Sequence, residues 1–152
     1  MRVLRKTIAV LVLVLGLWAP VWAQGEESNG RTYTISGVIH FEKEGNLYLA
    51  LVTEEEFKQG KVGRFSQIIV LTSEASREKK VGFEFNGVPA GTYGLECFQD
   101  VNGNGKMDFF LMIPLEPWGM YRPARPLMRA PRFSEIAFVV ESDLRDIELE
   151  VK

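Results

Sequence analysis

The chain contains one cysteine and one histidine among 152 residues. A lone Cys97 cannot form an intrachain disulfide, and no zinc set built from several Cys and His residues can be assembled. His40 has no Ser, Cys or carboxylate motif around it, so no catalytic triad is indicated. Charge of one sign is not in excess either. The 18 Lys+Arg against 20 Asp+Glu give net −2, which excludes a general nucleic-acid binder. At 46% hydrophobic, 11% aromatic and 25% charged residues, the composition is that of a soluble globular protein. Disorder, collagen-like repeats and a polytopic membrane protein are excluded on that ground, and the length indicates one compact domain.

The one long hydrophobic run is N-terminal. Arg2, Arg5 and Lys6 precede an apolar stretch from Thr7 to Ala19, followed by Pro20 and the triplet Val21-Trp22-Ala23. A basic start, an apolar middle and small residues before a cut after Ala23 have the form of a secretory signal peptide, residues 1–23. An uncleaved anchor is the other reading, but Thr7–Ala23 is shorter than the ~20 residues that span a bilayer and ends on a proline. No cysteine near the site would carry a lipid. Cleavage would remove three cations and no anion, leaving a small acidic domain of net charge −5. Periplasmic or secreted localisation follows as an expectation, with no stable membrane span after cleavage. Cys97, inside an apolar strand-like run, reads as a buried inert thiol.

Residues 24–31 (QGEESNGR) read as a disordered lead-in, and residues 32–152 as a single domain. Period-two patterning dominates that domain. Tyr33, Ile35, Gly37 and Ile39 alternate with polar neighbours, and Leu47–Val52 and Ile68–Leu71 are apolar on both faces. Val81/Phe83/Phe85, Tyr93–Gln99, Ile136/Phe138/Val140 and Ile147/Leu149/Val151 complete seven strand candidates. The only helix-like stretch is Glu54–Gln59, ended by Gly60. The expected fold is therefore all-β: an antiparallel immunoglobulin-like or prealbumin-like β-sandwich of about seven strands. One long loop, Asp100–Phe133, interrupts it. Connections of that length are functional or disordered, and the aromatics Phe109, Phe110, Trp118 and Tyr121 favour a packed one.

The loop opens with Asp100-Val-Asn-Gly-Asn-Gly-Lys-Met-Asp108. Asp100, Asn102, Asn104 and Asp108 stand where a calcium loop places oxygen ligands, and Lys106 would offer its backbone carbonyl. Ca²⁺ takes six to eight hard oxygens, and alternating side chains on a tight turn, with Gly105 at the bend, converge on one point. The bidentate Glu of a helix-flanked loop is missing, since Leu111 stands there and no helix adjoins. Glu116 is the nearest downstream carboxylate able to close the shell. Two neutral Asn ligands imply Ca²⁺ affinity of about 10⁻⁴–10⁻³ M. The competing reading is consecutive Asn/Gly turns capped by aspartate side chains.

Four segments occur in order: Gly87-Val-Pro-Ala-Gly-Thr-Tyr93, Phe98–Asp108, Ile113-Pro-Leu-Glu-Pro-Trp-Gly119 and Pro131-Arg-Phe-Ser-Glu-Ile-Ala-Phe138. Together they resemble one bacterial exported family, that of the domain of unknown function 2141. The resemblance spans roughly Thr34–Val151. It implies a transthyretin-like or carboxypeptidase-regulatory-like sandwich pattern without assigned activity, and it groups Asp100, Asn102, Asn104, Asp108 and Glu116 as one constellation. The chain departs from the family pattern at Phe109-Phe110, which replaces a polar pair, at Met112 and at Met120-Tyr121. Those changes make the loop more apolar.

Arg122, Arg125, Arg129 and Arg132, interleaved with prolines, read as solvated or ion-paired cations rather than an anion site. Trp118, Tyr121 and Phe110 read as packing rather than as a ligand platform. Three functions remain: an exported non-enzymatic module with a Ca²⁺-binding-like loop that supports a binding loop, a metal-free structural or envelope-interaction domain, and, least favoured, a metal-assisted hydrolase. The partner expected is an envelope or extracellular component, not nucleic acid, and the oligomeric state is open.

Overall fold

The computed structural model describes residues 30–111, 113–122, 126 and 129–152. The signal peptide expected at 1–23 and most of the lead-in lie outside the described residues. Ten strands and three short helices follow in order. They are β1 (Thr32–Phe41), β2 (Asn46–Val52), α1 (Glu54–Gln59), β3 (Phe65–Ile69), α2 (Ser73–Glu78), β4 (Lys80–Pro89) and β5 (Gly91–Asp100). Then come β6 (Phe109–Phe110), β7 (Ile113–Pro114), β8 (Trp118–Met120), α3 (Phe133–Ile136), β9 (Phe138–Val140) and β10 (Leu144–Val151). The protein is an all-β sandwich.

One sheet runs β10-β1-β4 and the other β3-β2-β5-β8, with β9 also pairing β5. Alternation decides which side chains meet between them. Ile35 and Ile39 of β1, Phe83 and Phe85 of β4, and Ile147, Leu149 and Val151 of β10 face Leu47, Leu49 and Leu51 of β2 and Leu95 and Cys97 of β5. All are buried, and each fully buried aliphatic side chain stabilises the fold by about 1.5–3 kcal/mol. His40, at the end of β1, is exposed as expected.

Pairing is antiparallel except between β1 and β10, which run parallel. The register slips between Ile35 and Gly37 opposite β10, where Asp146 takes φ 59°. That slip keeps Ile147, Leu149 and Val151 in phase with the core beyond it.

Three local expectations are corrected. Ile136 is not in a strand: the Arg132 N–H donates to the Glu135 carboxylate at 2.7 Å, and the turn so capped puts Phe133 and Ile136 on one buried face of α3. A second helix, α2, follows Leu71, with the Thr72 hydroxyl accepting from Ala75 N–H at 3.2 Å. β3 begins at Phe65, three residues before the expected run, and lies at the sheet edge, so Ile68 on its outward face is exposed, as is Val70 just beyond it. By contrast, α1 has the expected bounds. Thr53 and Glu56 form a capping box, and Gly60 closes the helix in the left-handed conformation.

The two sheets join along one edge. Trp118 N–H donates to Lys152 C=O and Lys152 N–H to Trp118 C=O, at 3.4 and 3.3 Å. Gly119 makes this approach feasible, because a Cβ there would lie 1.9 Å from the Glu150 carbonyl oxygen. Gly119→Ala is therefore expected to cost about 1–3 kcal/mol through overpacking. Gly82→Ala, where the nearest atom is 3.8 Å away, should be neutral or stabilising. Equal urea midpoints for the two variants would contradict this assignment.

Candidate functional site

β5 carries the site to one end of the sandwich. Its last two residues point to opposite sides. Gln99 turns inward, fully buried, and its Nε2 donates to the Lys43 carbonyl at 2.6 Å, tying the β1–β2 turn to β5. Asp100 begins the loop. Its carboxylate, 2% exposed, accepts three backbone N–H groups: Gly103 at 2.8 Å and Asn104 at 3.1 Å on Oδ1, and Gly105 at 2.8 Å on Oδ2. Gly103 and Gly105 have φ 74° and 77°, the left-handed region that lets successive N–H groups turn toward one carboxylate.

The amide oxygens repeat the device on a smaller scale. Asn102 Oδ1 accepts from Asn104 N–H, and Asn104 Oδ1 from Lys106 N–H, both at 3.0 Å. Their Nδ2 groups both donate to Asp108 Oδ2, at 2.7 and 2.6 Å. The side chains of Asn102, Asn104 and Asp108 thus meet at one point. Asp100 sits on the backbone side of the same turn, and Lys106 takes part through its backbone with its side chain in solvent. The two amide donors hold the Asp108 carboxyl below the usual aspartate range, more than its partial burial opposes.

Glu116 is brought to the loop, but its oxygens serve the backbone. It is 6% exposed, and its carboxylate spans the loop, accepting from Val101 N–H at 2.9 Å and Asp108 N–H at 3.2 Å. Leu115 N–H donates to Asp108 C=O at 2.9 Å beside it. Among the described residues, no three His, Cys, Asp or Glu side chains converge as a metal-binding group. What meets in this loop is a mixed group, two amides with one carboxylate.

Beyond Asp108 the loop forms a hairpin of β6 and β7, whose strands pair only with each other. The expectation that its aromatics pack is corrected for two of them: Phe109 and Phe110 are 58% and 64% exposed. A pair of two-residue strands is too short to fold over either side chain. Trp118 and Tyr121 do pack. Tyr121 meets Phe138 edge to face at 5.2 Å, and Trp118 lies on β8, in register with Phe98. Phe98 in turn stacks on Tyr48 at 4.8 Å, beside Gly105.

Sequence reading missed two structural roles here, the Gln99 tie and the exposed hairpin. The replacement of a polar pair by Phe109-Phe110 was the available signal for the second. Of the arginines, Arg129 forms a two-pronged bond with Glu135 at 2.9 and 2.6 Å, and Arg122 donates to Ala137 C=O at 3.3 Å. Arg132 is exposed, and Arg125 lies outside the described residues. Cys97 is buried, and burial, with Glu96 adding to it, pushes its thiol far up.

The family model described as "Uncharacterized protein conserved in bacteria" (DUF2141) matches residues 34–148. The chain belongs to this family. The matched span takes in Asp100–Asp108 and Glu116, so the loop and its closing carboxylate are part of the DUF2141 domain. No curated protein and no solved structure matches the chain. Among the described residues, no helix is long and apolar enough to cross a membrane.

Glu116→Gln sets an amide NH₂ against one of two backbone N–H groups, leaving a buried donor unpaired. A loss of about 1–3 kcal/mol is expected in urea unfolding, with faster amide exchange at Val101 and Asp108. Unchanged exchange at both amides would count against the bridging role. The Asp108 value in the folded state lies below that in the unfolded state. Its contribution is therefore present above about pH 4 and is lost as the pH falls through the folded-state value. An NMR titration should place the Asp108 midpoint below that of an ordinary aspartate, and Asn102→Ala with Asn104→Ala should return it. A midpoint at or above the ordinary value in the native loop would contradict the amide contacts.

Proposed function

We propose that this protein is an exported, non-enzymatic binding module whose Asp100–Asp108 loop takes Ca²⁺ and so stiffens the mount of the following hairpin. The observation that carries this reading is the meeting of Asn102, Asn104 and Asp108 within hydrogen-bond distance of one another, on a turn whose backbone Asp100 already organises. An Asn side chain carries both a donor and an acceptor on one planar amide, so the groups that now donate to Asp108 can present oxygen instead. With Asp108, both Asn side chains and the Lys106 carbonyl, the donor set is all oxygen, which suits a hard divalent cation. The ion would supply charge neutralisation and cross-linking of the loop. The N-terminal signal-like segment supports export to the periplasm or beyond. The burial of Cys97 and the surface placement of His40 support a binding role over a catalytic one.

A second reading has its own support. Asp100 and Glu116 already satisfy five backbone N–H groups between them, so the loop can close as a metal-free structural element of an envelope-interaction domain.

A calcium titration separates the two. With a Kd of about 1 mM, about 10 mM Ca²⁺ stabilises the folded state by about 1.4 kcal/mol, a rise in Tm of about 5 °C. Asp108→Asn should abolish the rise. No shift in the native protein, or an equal shift in the variant, would leave the metal-free reading standing.

A further inference from the structure

Asparagine followed by glycine occurs twice in succession, as Asn102-Gly103 and Asn104-Gly105, and all four residues are exposed. Such a pair can react with itself. The glycine nitrogen attacks the asparagine Cγ, so that an N–Cγ bond forms and the Cγ–Nδ2 bond breaks. The glycine N–H proton leaves with Nδ2 as ammonia, and water then opens the succinimide to aspartate or isoaspartate. Glycine favours the attack because it has no side chain to shield its nitrogen. We propose that Asn102 and Asn104 form a deamidation site that the Asp100 carboxylate holds shut in the folded chain.

The electrophiles are ready. Asn102 Oδ1 accepts from Asn104 N–H, and Asn104 Oδ1 from Lys106 N–H, both at 3.0 Å. These donors sit on the oxygen that turns negative during attack, so they stabilise the tetrahedral intermediate. Water reaches both pairs from the exposed side of the loop.

The nucleophiles are held back. Each glycine N–H must lose its proton to attack, and both are bonded to one carboxylate. Gly103 N–H donates to Asp100 Oδ1 and Gly105 N–H to Asp100 Oδ2, at 2.8 Å each. A negative charge that accepts this proton disfavours the amide anion. Asp100 is 2% exposed, so solvent weakens its hold little. Conversion would have a structural cost as well. Both Nδ2 groups now donate to Asp108 Oδ2, and carboxylates in their place would set like charge against Asp108. The lock needs no ion, so the inference goes beyond the calcium reading.

The test is conversion at neutral pH in chelator, followed site by site by peptide mass spectrometry. Asn102 and Asn104 should convert about tenfold or more slowly in the folded chain than in urea, the factor one charge-assisted hydrogen bond supplies. Asp100→Ala should restore most of the lost rate at both sites. It should not speed Asn86-Gly87, which lies on β4 in the other sheet. Acceleration at Asn86 as well would mean that the variant is unfolded, and Asp100→Asn then decides. That variant keeps one acceptor oxygen, so one pair should convert fast and the other stay slow. Two results would overturn the proposal. One is conversion in the folded native chain at the rate seen in urea. The other is slow conversion at both pairs in a folded Asp100 variant.

Discussion

The end of the sandwich that carries the site depends on one constraint: backbone N–H groups in a long irregular segment must find acceptors. Helices and sheets meet this demand by themselves, but a run such as Asp100–Asp108 cannot. Here two buried carboxylates meet most of it, with the Asn102 and Asn104 amide oxygens beside them. Asp100 gathers three N–H groups from a turn that glycines allow to curl, and Glu116 holds one at each end of the loop. A neutral acceptor would be weaker in each of these bonds. Burying two carboxylates is tolerable because each is satisfied several times over. The hairpin can stand away from the sheets because its root is held this way.

The sandwich itself orients that root. β8 adds to β5 on one side and touches the end of β10 on the other, so Glu116, two residues before β8, is fixed relative to both sheets. Gln99 fastens the neighbouring β1–β2 turn to the same strand end. The apolar tip thus projects from a base whose position is set by three different parts of the chain. A binding surface gains from such rigidity, because less freedom is lost when a partner arrives.

Legibility in the sequence followed the strength of local signals. Strands with clean alternation, such as Ile147/Leu149/Val151, and α1 with its Thr53–Glu56 capping box could be read from side-chain periodicity alone. The DUF2141 membership was legible in the order of four motifs. Three things were not legible, for physical reasons. The parallel partnership of β1 with β10 is a tertiary choice that alternation does not encode. Ile136 obeys a strand pattern with Phe138 and Val140, yet the local Arg132–Glu135 bond wins and makes a turn of helix. At the site, spacing marked Asp100, Asn102, Asn104, Asp108 and Glu116 as neighbours, and they are. It could not tell whether their oxygens face one another or the backbone, because side-chain torsions decide that.

The parallel pairing of β1 with β10 bears on how the molecule comes into being. The first strand lies against residues 144–151, more than a hundred positions later. Until those residues exist, β1 has no neighbour on that edge, and the core lacks Ile147, Leu149 and Val151. Contacts so distant in sequence slow folding. A nascent chain of this topology therefore stays unfinished until residues 144–151 are available.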